Sequence, residues 1–123
     1  MFAMSFEEAV VTILSEGVAV TPIFDQLKNN EMKLVKINYL GDTGVPQGER
    51  VIEPYLLGST IAGNLAIRAY QSSGVTQTEQ PGWKIFLIDK ITSWQVLEET
   101  FTIRDDYERN GDRMFGNIRV QLR

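Results

Sequence analysis

The chain has 123 residues, of which 43% are hydrophobic and 23% charged, and its formal net charge is −4 at pH 7. This composition predicts one ordinary globular domain that buries a core without metals or disulfides. The chain contains no cysteine and no histidine. Disulfides, thiolate nucleophiles, histidine-dependent hydrolases and histidine-ligated metal centres are therefore excluded.

The sequence also limits location and partners. No apolar run is long enough for a membrane helix, and the N-terminus lacks the basic and apolar stretches of a secretory signal. We therefore expect a cytoplasmic protein that does not enter the membrane. Because the net charge is negative, nucleic-acid binding would require a local basic patch rather than a broad positive surface.

The N-terminal segment, residues 1–32, is predicted to be helical. Ser5-Phe6-Glu7-Glu8 is a capping-box pattern, and apolar residues with helical spacing follow it, which predicts a helix over 6–16. Thr21-Pro22 begins a second, shorter helix that ends at Asn29-Asn30. We interpret the pair as a helical cover that packs on a following sheet. The alternative is a truncated helix-turn-helix or a docking helix.

From Lys33 the apolar residues alternate with polar ones, which is typical of half-buried strands. Strands are predicted over 33–39, 50–57, 61–71, 83–91 and 93–101. The turn-rich stretch 41–48 and the polar stretch 72–82 separate them. Five short strands without crossover helices predict a mainly β (α+β) fold, a small antiparallel barrel over residues 33–103.

Residues 104–123 form a C-terminal extension of this predicted barrel. Asn110-Gly111-Asp112 is a turn signal, and Ile118, Val120 and Leu122 alternate with polar residues. We expect a final edge strand here, either in the sheet of the same chain or lent to a partner subunit.

No combination of residues predicts catalysis. Asp105-Asp106 and Glu98-Glu99 are sequence neighbours, and neighbours on a strand point to opposite faces. The glycines around Gly41 and Gly44 lack the strand and helix context of a phosphate-binding loop. We therefore predict a protein that is not an enzyme and that holds no metal and no cofactor.

Cations beside aromatic residues predict a binding surface instead. Arg68 and Tyr70 share the face of their strand that lies opposite Leu65, Ile67 and Ala69. On the next strand Phe86 shares a face with Lys84 and Lys90. Such pairs hold planar anionic ligands by charge-assisted hydrogen bonds and stacking. The alternative is that these cations are ordinary solvated side chains beside half-buried aromatics.

The order of these blocks resembles the WYL-domain family of bacterial and phage ligand-sensing modules. The matching positions are Tyr39 on the first strand, Arg50 with Pro54-Tyr55 on the second, Arg68-Ala69-Tyr70 on the third, and Phe86, Asp89, Lys90 and Ile91 on the fourth. The resemblance covers about half of the chain. Two positions depart from the family pattern: Leu65-Ala66-Ile67 replaces the Trp-Tyr-Leu tripeptide, and Leu87 replaces an arginine.

The resemblance implies an SH3-like or Sm-like barrel that stands alone, in a bacterial or phage-infected cell. It implies an accessory regulator that recognises a nucleotide or single-stranded nucleic acid. The residues that we expect to bind such an anion are Arg50, Arg68, Tyr70, Lys90, Tyr39 and Phe86. The alternative is a structural or assembly protein, phage-encoded, that uses its barrel and C-terminal strand for homo-oligomers or other protein contacts.

Overall fold

The computed structural model describes residues 21–41, 47–74 and 81–123. Within these ranges the chain is mainly β, as the alternation predicts, and its six antiparallel strands form one open sheet. The elements are α1 (Thr21–Lys28), β1 (Lys33–Tyr39), β2 (Gly48–Thr60), β3 (Leu65–Gly74), β4 (Gly82–Leu87), a 3-10 turn (Ile88–Lys90), β5 (Ile91–Thr100) and β6 (Phe115–Gln121). The helix predicted over 6–16 lies outside the described residues.

The sheet has the strand order β4-β3-β2-β1-β5, and β6 pairs with β2. The strand predicted over 83–91 is wrong at its end, because it stops at Leu87 and a 3-10 turn follows. Ile88 and Ile91 are both buried. They are three residues apart, and a 3-10 turn brings such positions to one side, whereas a strand would separate them. Burial of both isoleucines thus accounts for the turn.

The 13-residue strand β2 organises the sheet. It pairs with β3 on one side, while on the other side β1 reaches Ile52 and β6 begins at Leu56. Pro54, which has no N–H to donate, lies opposite Ala69 of β3, in the interval where β2 pairs with neither β1 nor β6. Gly58 brings β2 so close to the carbonyl of Asn117 that a Cβ would collide with it. The C-terminal strand therefore depends on a glycine at this position.

The pairing register separates two faces of the sheet. The core face carries the buried side chains Val35, Ile37, Tyr39, Ile52, Ile67, Ala69 and Phe86. The other face carries Glu53, Tyr55, Arg68, Tyr70 and Trp83. It is called the segment face, because a later segment of the chain covers it. Residues 101–114, called the C-terminal segment, contact the segment face through Phe101, Arg104 and Tyr107. This segment is the cover that positions the site described below.

Helix α1 packs on the sheet, and the residues that follow it contact the C-terminus. Ile23 and Leu27 of α1 are fully buried. The backbone N–H of Arg123 donates to Oδ1 of Asn30 at 2.8 Å, directly after α1. The predicted final strand is present as β6 and pairs with β2 of its own chain. No helix in the described part of the chain is long and apolar enough to cross a membrane.

Candidate functional site

The fold divides the residues predicted to bind an anion into two groups. Arg50, Tyr39, Phe86 and Lys90 come together where β1, β2 and the end of β4 meet. Arg68 and Tyr70 lie on the segment face, side by side as predicted. The two groups do not form one surface.

Arg50 is packed between two aromatic rings. Its Cζ lies 5.0 Å from the ring centroid of Tyr39 and 5.5 Å from that of Phe86. The two rings meet edge to face, 5.1 Å apart. The exposed fractions are 4% for Arg50, 5% for Tyr39 and 1% for Phe86. Because these side chains are turned inward, the rings stack on the guanidinium of Arg50 rather than on solvent-borne molecules.

Electrostatics around Tyr39 links this group to Lys90. Burial raises the pKa of Tyr39, while a hydrogen bond from the N–H of Leu87 and the charges of Lys90 and Arg50 oppose that rise. Burial also lowers the pKa of Arg50. Lys90 is only partly buried. It is therefore the member of the group that solvent reaches most readily.

On the segment face, Arg68 forms a two-pronged salt bridge with Asp112 of the C-terminal segment. Nε lies 2.6 Å from Oδ2 and Nη2 lies 3.1 Å from Oδ1. Both side chains are largely buried. Burial acts to raise the pKa of Asp112, but hydrogen bonds from Arg68 and from the N–H of Met114 outweigh it and hold that pKa below its usual range. Asp112 therefore stays ionised and offsets the charge of Arg68.

Tyr70 is covered by a second arginine of the C-terminal segment. The Cζ of Arg104 lies 3.5 Å from the centroid of the Tyr70 ring. The same guanidinium donates to both carboxylate oxygens of Glu53, at 2.9 and 2.8 Å. Glu53 is only 4% exposed. Stacking and a fork of charge-assisted bonds thus hold Arg104 in one place.

Tyr55 joins the same network at the centre of the segment face. Its hydroxyl accepts the N–H of Arg104 at 3.0 Å and donates to Glu53 at 3.3 Å. Its ring contacts the rings of Trp83 and Tyr107, with centroids 4.7 and 4.8 Å away. Burial raises the pKa of Tyr55 to about 12. The network is well paired, and its members Tyr55 and Glu53 are buried, so its character is structural.

A cleft of about 240 Å³ opens between β4 and the C-terminal segment. Its walls combine rings and charged groups: Arg68, Trp83, Asp106, Tyr107, Glu108, Gly111 and Asp112. The indole N–H of Trp83 donates to Oδ2 of Asp106 at 2.8 Å. The hydroxyl of Tyr107 donates to the carbonyl of Leu122 at 2.8 Å. These bonds fix both rings, so the cleft is preformed.

Of the residues predicted from sequence to bind a ligand, Arg68 lines this cleft. Sequence reasoning missed Trp83, Tyr107 and the carboxylates, although a tryptophan directly after Pro81-Gly82 at the start of a strand is a possible interface anchor. No spacing rule connects β4 with residues 106–112, because the cleft exists only once the C-terminal segment folds back. Among the described residues, no three acidic, histidine or cysteine side chains are placed to hold a metal ion.

The fold and this cleft define a mainly β protein with a small, preformed site between its sheet and its C-terminal segment. No model of a known protein family, no curated protein and no solved structure matches the chain.

Proposed function

We propose that the protein is a non-enzymatic binding module and that its ligand enters the cleft between β4 and the C-terminal segment. We further propose that its sheet is an SH3-like barrel of the WYL-like kind. The order β4-β3-β2-β1-β5 and the 3-10 turn between β4 and β5 support this fold assignment.

The observation that carries the proposal is the preformed cleft itself. Small-molecule sites are concave and combine aromatic surface with a few fixed polar groups. Trp83 and Tyr107 supply the rings, and their polar ends are already bonded to Asp106 and Leu122. Ligand binding therefore does not require those groups to find new partners.

The volume limits what can enter. Sites for drug-sized ligands enclose roughly 300–1,000 Å³, whereas this cleft offers about 240 Å³. A single side chain or the head group of a larger ligand fits these dimensions. A whole nucleotide would have to leave most of its surface outside.

The proposal can be tested by NMR, because the protein has two tryptophans. The indole N–H signal of Trp83 reports on the cleft, and that of Trp94 is an internal reference; the variant Trp94→Phe assigns the two signals. Titration with small charged and aromatic compounds should shift the Trp83 signal saturably and leave the Trp94 signal unchanged.

A matched pair of variants locates the binding. Glu108 and Arg109 are both exposed neighbours, but only Glu108 lines the cleft. Glu108→Phe should therefore block binding, while Arg109→Phe should leave it unchanged. Saturable binding that survives Glu108→Phe, or the absence of any saturable Trp83 shift, contradicts the proposal.

An anionic ligand at Lys90 is a second candidate. It is supported by the charges of Lys90 and Arg50, which both act on the hydroxyl of Tyr39 and oppose the rise of its pKa. Mononucleotides and short single-stranded DNA would then bind in a salt-dependent way, and Lys90→Ala would abolish binding with little loss of stability. The matched control is Lys84→Ala, which removes a cation from the neighbouring strand.

Assembly with protein partners is a third candidate, supported by an exposed apolar pair. Ile61 and Met114 are 74% and 55% exposed. They are adjacent, since the N–H of Ile61 donates to the carbonyl of Met114 at 3.0 Å. If this pair mediates assembly, the double variant Ile61→Ser/Met114→Ser should lower the mass measured by sedimentation. An unchanged mass argues against it.

A further inference from the structure

We infer that the group received by the cleft is a cation, an ammonium or guanidinium at the end of an aliphatic chain. This inference rests on the proposed function, because it names the ligand class of the same site. It also reverses the charge that sequence reasoning assigned to the ligand.

The charges in the cleft walls favour a cation. The lining contains three carboxylates, Asp106, Glu108 and Asp112, and one arginine, Arg68. Arg68 is already engaged by Asp112 through two hydrogen bonds. Two carboxylates therefore remain without an opposing charge in the lining, and an incoming anion would be repelled by them.

Neither of the two remaining carboxylates, Asp106 and Glu108, is paired with a cation among the described residues. Asp106 accepts the indole N–H of Trp83, a neutral donor that leaves its charge unbalanced. The side chain of Glu108 makes no hydrogen bond or ion pair with any residue in 21–41, 47–74 or 81–123. It is exposed and borders the cleft. A bound cation would supply the counter-charge that both lack.

The aromatic rings in the lining also suit a cation. The polar ends of Trp83 and Tyr107 are bonded to Asp106 and Leu122, so the rings offer the cleft mainly apolar surface. Tryptophan and tyrosine attract cations electrostatically and also pack against methylene groups. Rings together with carboxylates suit a basic side chain at both its aliphatic stem and its charged end.

Two nearby arginines, Arg104 and Arg109, do not occupy the cleft. Arg104 is tied to Glu53 and stacked on Tyr70. Arg109 lies close enough to Tyr107 to influence its pKa, but it is exposed and outside the lining. The cleft volume of about 240 Å³ also suits one basic side chain. The same chemistry occurs in free amines and in lysine or arginine of a protein partner.

The test compares a charged ligand with a neutral one of the same shape. Acetyl-arginine amide should shift the Trp83 indole signal saturably, and acetyl-citrulline amide should bind at least about tenfold more weakly, because it lacks the charge that strengthens the hydrogen bonds. Glu108→Gln should weaken the binding of acetyl-arginine amide by up to about fivefold, the upper end for an exposed ion pair. Higher salt should weaken it further.

Two further arms identify the source of the cation. A short acetylated peptide with one central arginine stands for a protein partner, and spermidine stands for a free amine. Tighter binding of the peptide indicates a basic segment of a protein, and tighter binding of spermidine indicates a small amine. Urea unfolding of Glu108→Gln should match that of the parent, since this side chain has no partner in the described residues.

The outcomes separate this inference from the proposed function. Equal binding of the arginine and citrulline amides, or unchanged affinity in Glu108→Gln, overturns the inference while the cleft remains the site. A Trp83 shift with adenosine monophosphate but not with acetyl-arginine amide does the same. If no ligand of either charge shifts the Trp83 signal, both proposals are overturned.

Discussion

Arg50 and Arg104 each lie against an aromatic ring, but on opposite faces of the sheet and with different surroundings. Arg50 is 4% exposed and packs between Tyr39 and Phe86. Arg104 is partly exposed, stacks on Tyr70 and is held by the carboxylate of Glu53. The first arginine is part of the core, whereas the second fastens the C-terminal segment to the sheet.

This difference shows why a cation next to an aromatic residue is a weak signal for binding. In both places the protein's own side chains occupy the positions that a ligand would use. The cleft lies beside the second place, where the C-terminal segment leaves an open gap lined by Trp83 and Tyr107 among others. A binding site requires that gap as well as the residue types.

Alkaline pH should lower the free energy of unfolding of the protein through one tyrosine of the segment face and one of the C-terminal segment. This is the largest effect that we expect. Burial raises the pKa of Tyr55 and of Tyr107 to about 12, from 10.0. The folded state thus keeps these protons when the unfolded chain loses them. The contribution of these two protonated tyrosines to stability is fully present below pH 10. It is lost between pH 10 and about 12, by at most about 1.4 kcal/mol per pH unit for each tyrosine.

Urea unfolding at pH 9 and at pH 11 measures this loss. Tyr107→Phe should reduce the pH dependence, because a residue that does not titrate removes one contribution. The same pH dependence in Tyr107→Phe and in the parent would contradict the assignment.

Tyr55→Ala, which removes the ring, should lower the free energy of unfolding by about 3–5 kcal/mol, as for other large aromatic core residues replaced by alanine. Tyr55 is fully buried and contacts three other rings of the segment face. Tyr55→Phe is the control, since it removes only the hydroxyl and should cost about 1–2 kcal/mol. Equal losses in the two variants would show that the ring contacts contribute little.

Arg104→Ala should lower the free energy of unfolding by about 2–3 kcal/mol, because it leaves the buried carboxylate of Glu53 without its partner. The loss is smaller than for a fully buried pair, since Arg104 is 38% exposed. The double variant Arg104→Met/Glu53→Gln should be more stable than Arg104→Ala, since no buried charge is left unpaired. Chemical denaturation of both variants provides the comparison. A double variant less stable than the single one would contradict the assignment of the loss in Arg104→Ala to the unpaired carboxylate of Glu53.

Arg50→Ala should cost about 1–2 kcal/mol, through lost contacts with two rings and lost packing of its aliphatic stem. Arg50→Lys should recover little of that stability, because an ammonium does not stack as a planar guanidinium does. The cleft lies elsewhere, so binding that shifts the Trp83 signal should be the same in both variants. Weaker binding at the cleft in Arg50→Ala would break the separation drawn between the two regions.

The sequence determined much of the sheet. Alternation in β1, from Val35 to Tyr39, and in β3, from Ile67 to Tyr70, predicted which side chains are buried, because side-chain direction on a strand follows directly from position. The start of α1 at Thr21-Pro22 and the final strand were predicted for the same local reasons. Local rules failed at Ile88–Lys90, where burial of two isoleucines favoured a 3-10 turn over a continued strand.

Only the tertiary structure decided which cations remain available and where a cleft forms. Arg68 with Asp112 and Arg104 with Glu53 join residues 44 and 51 positions apart. Trp83 donates to Asp106 across 23 positions. No period of two or of 3.6 encodes such distances. These contacts form only when the C-terminal segment packs over the sheet. That packing buries Tyr55 against rings from distant parts of the chain.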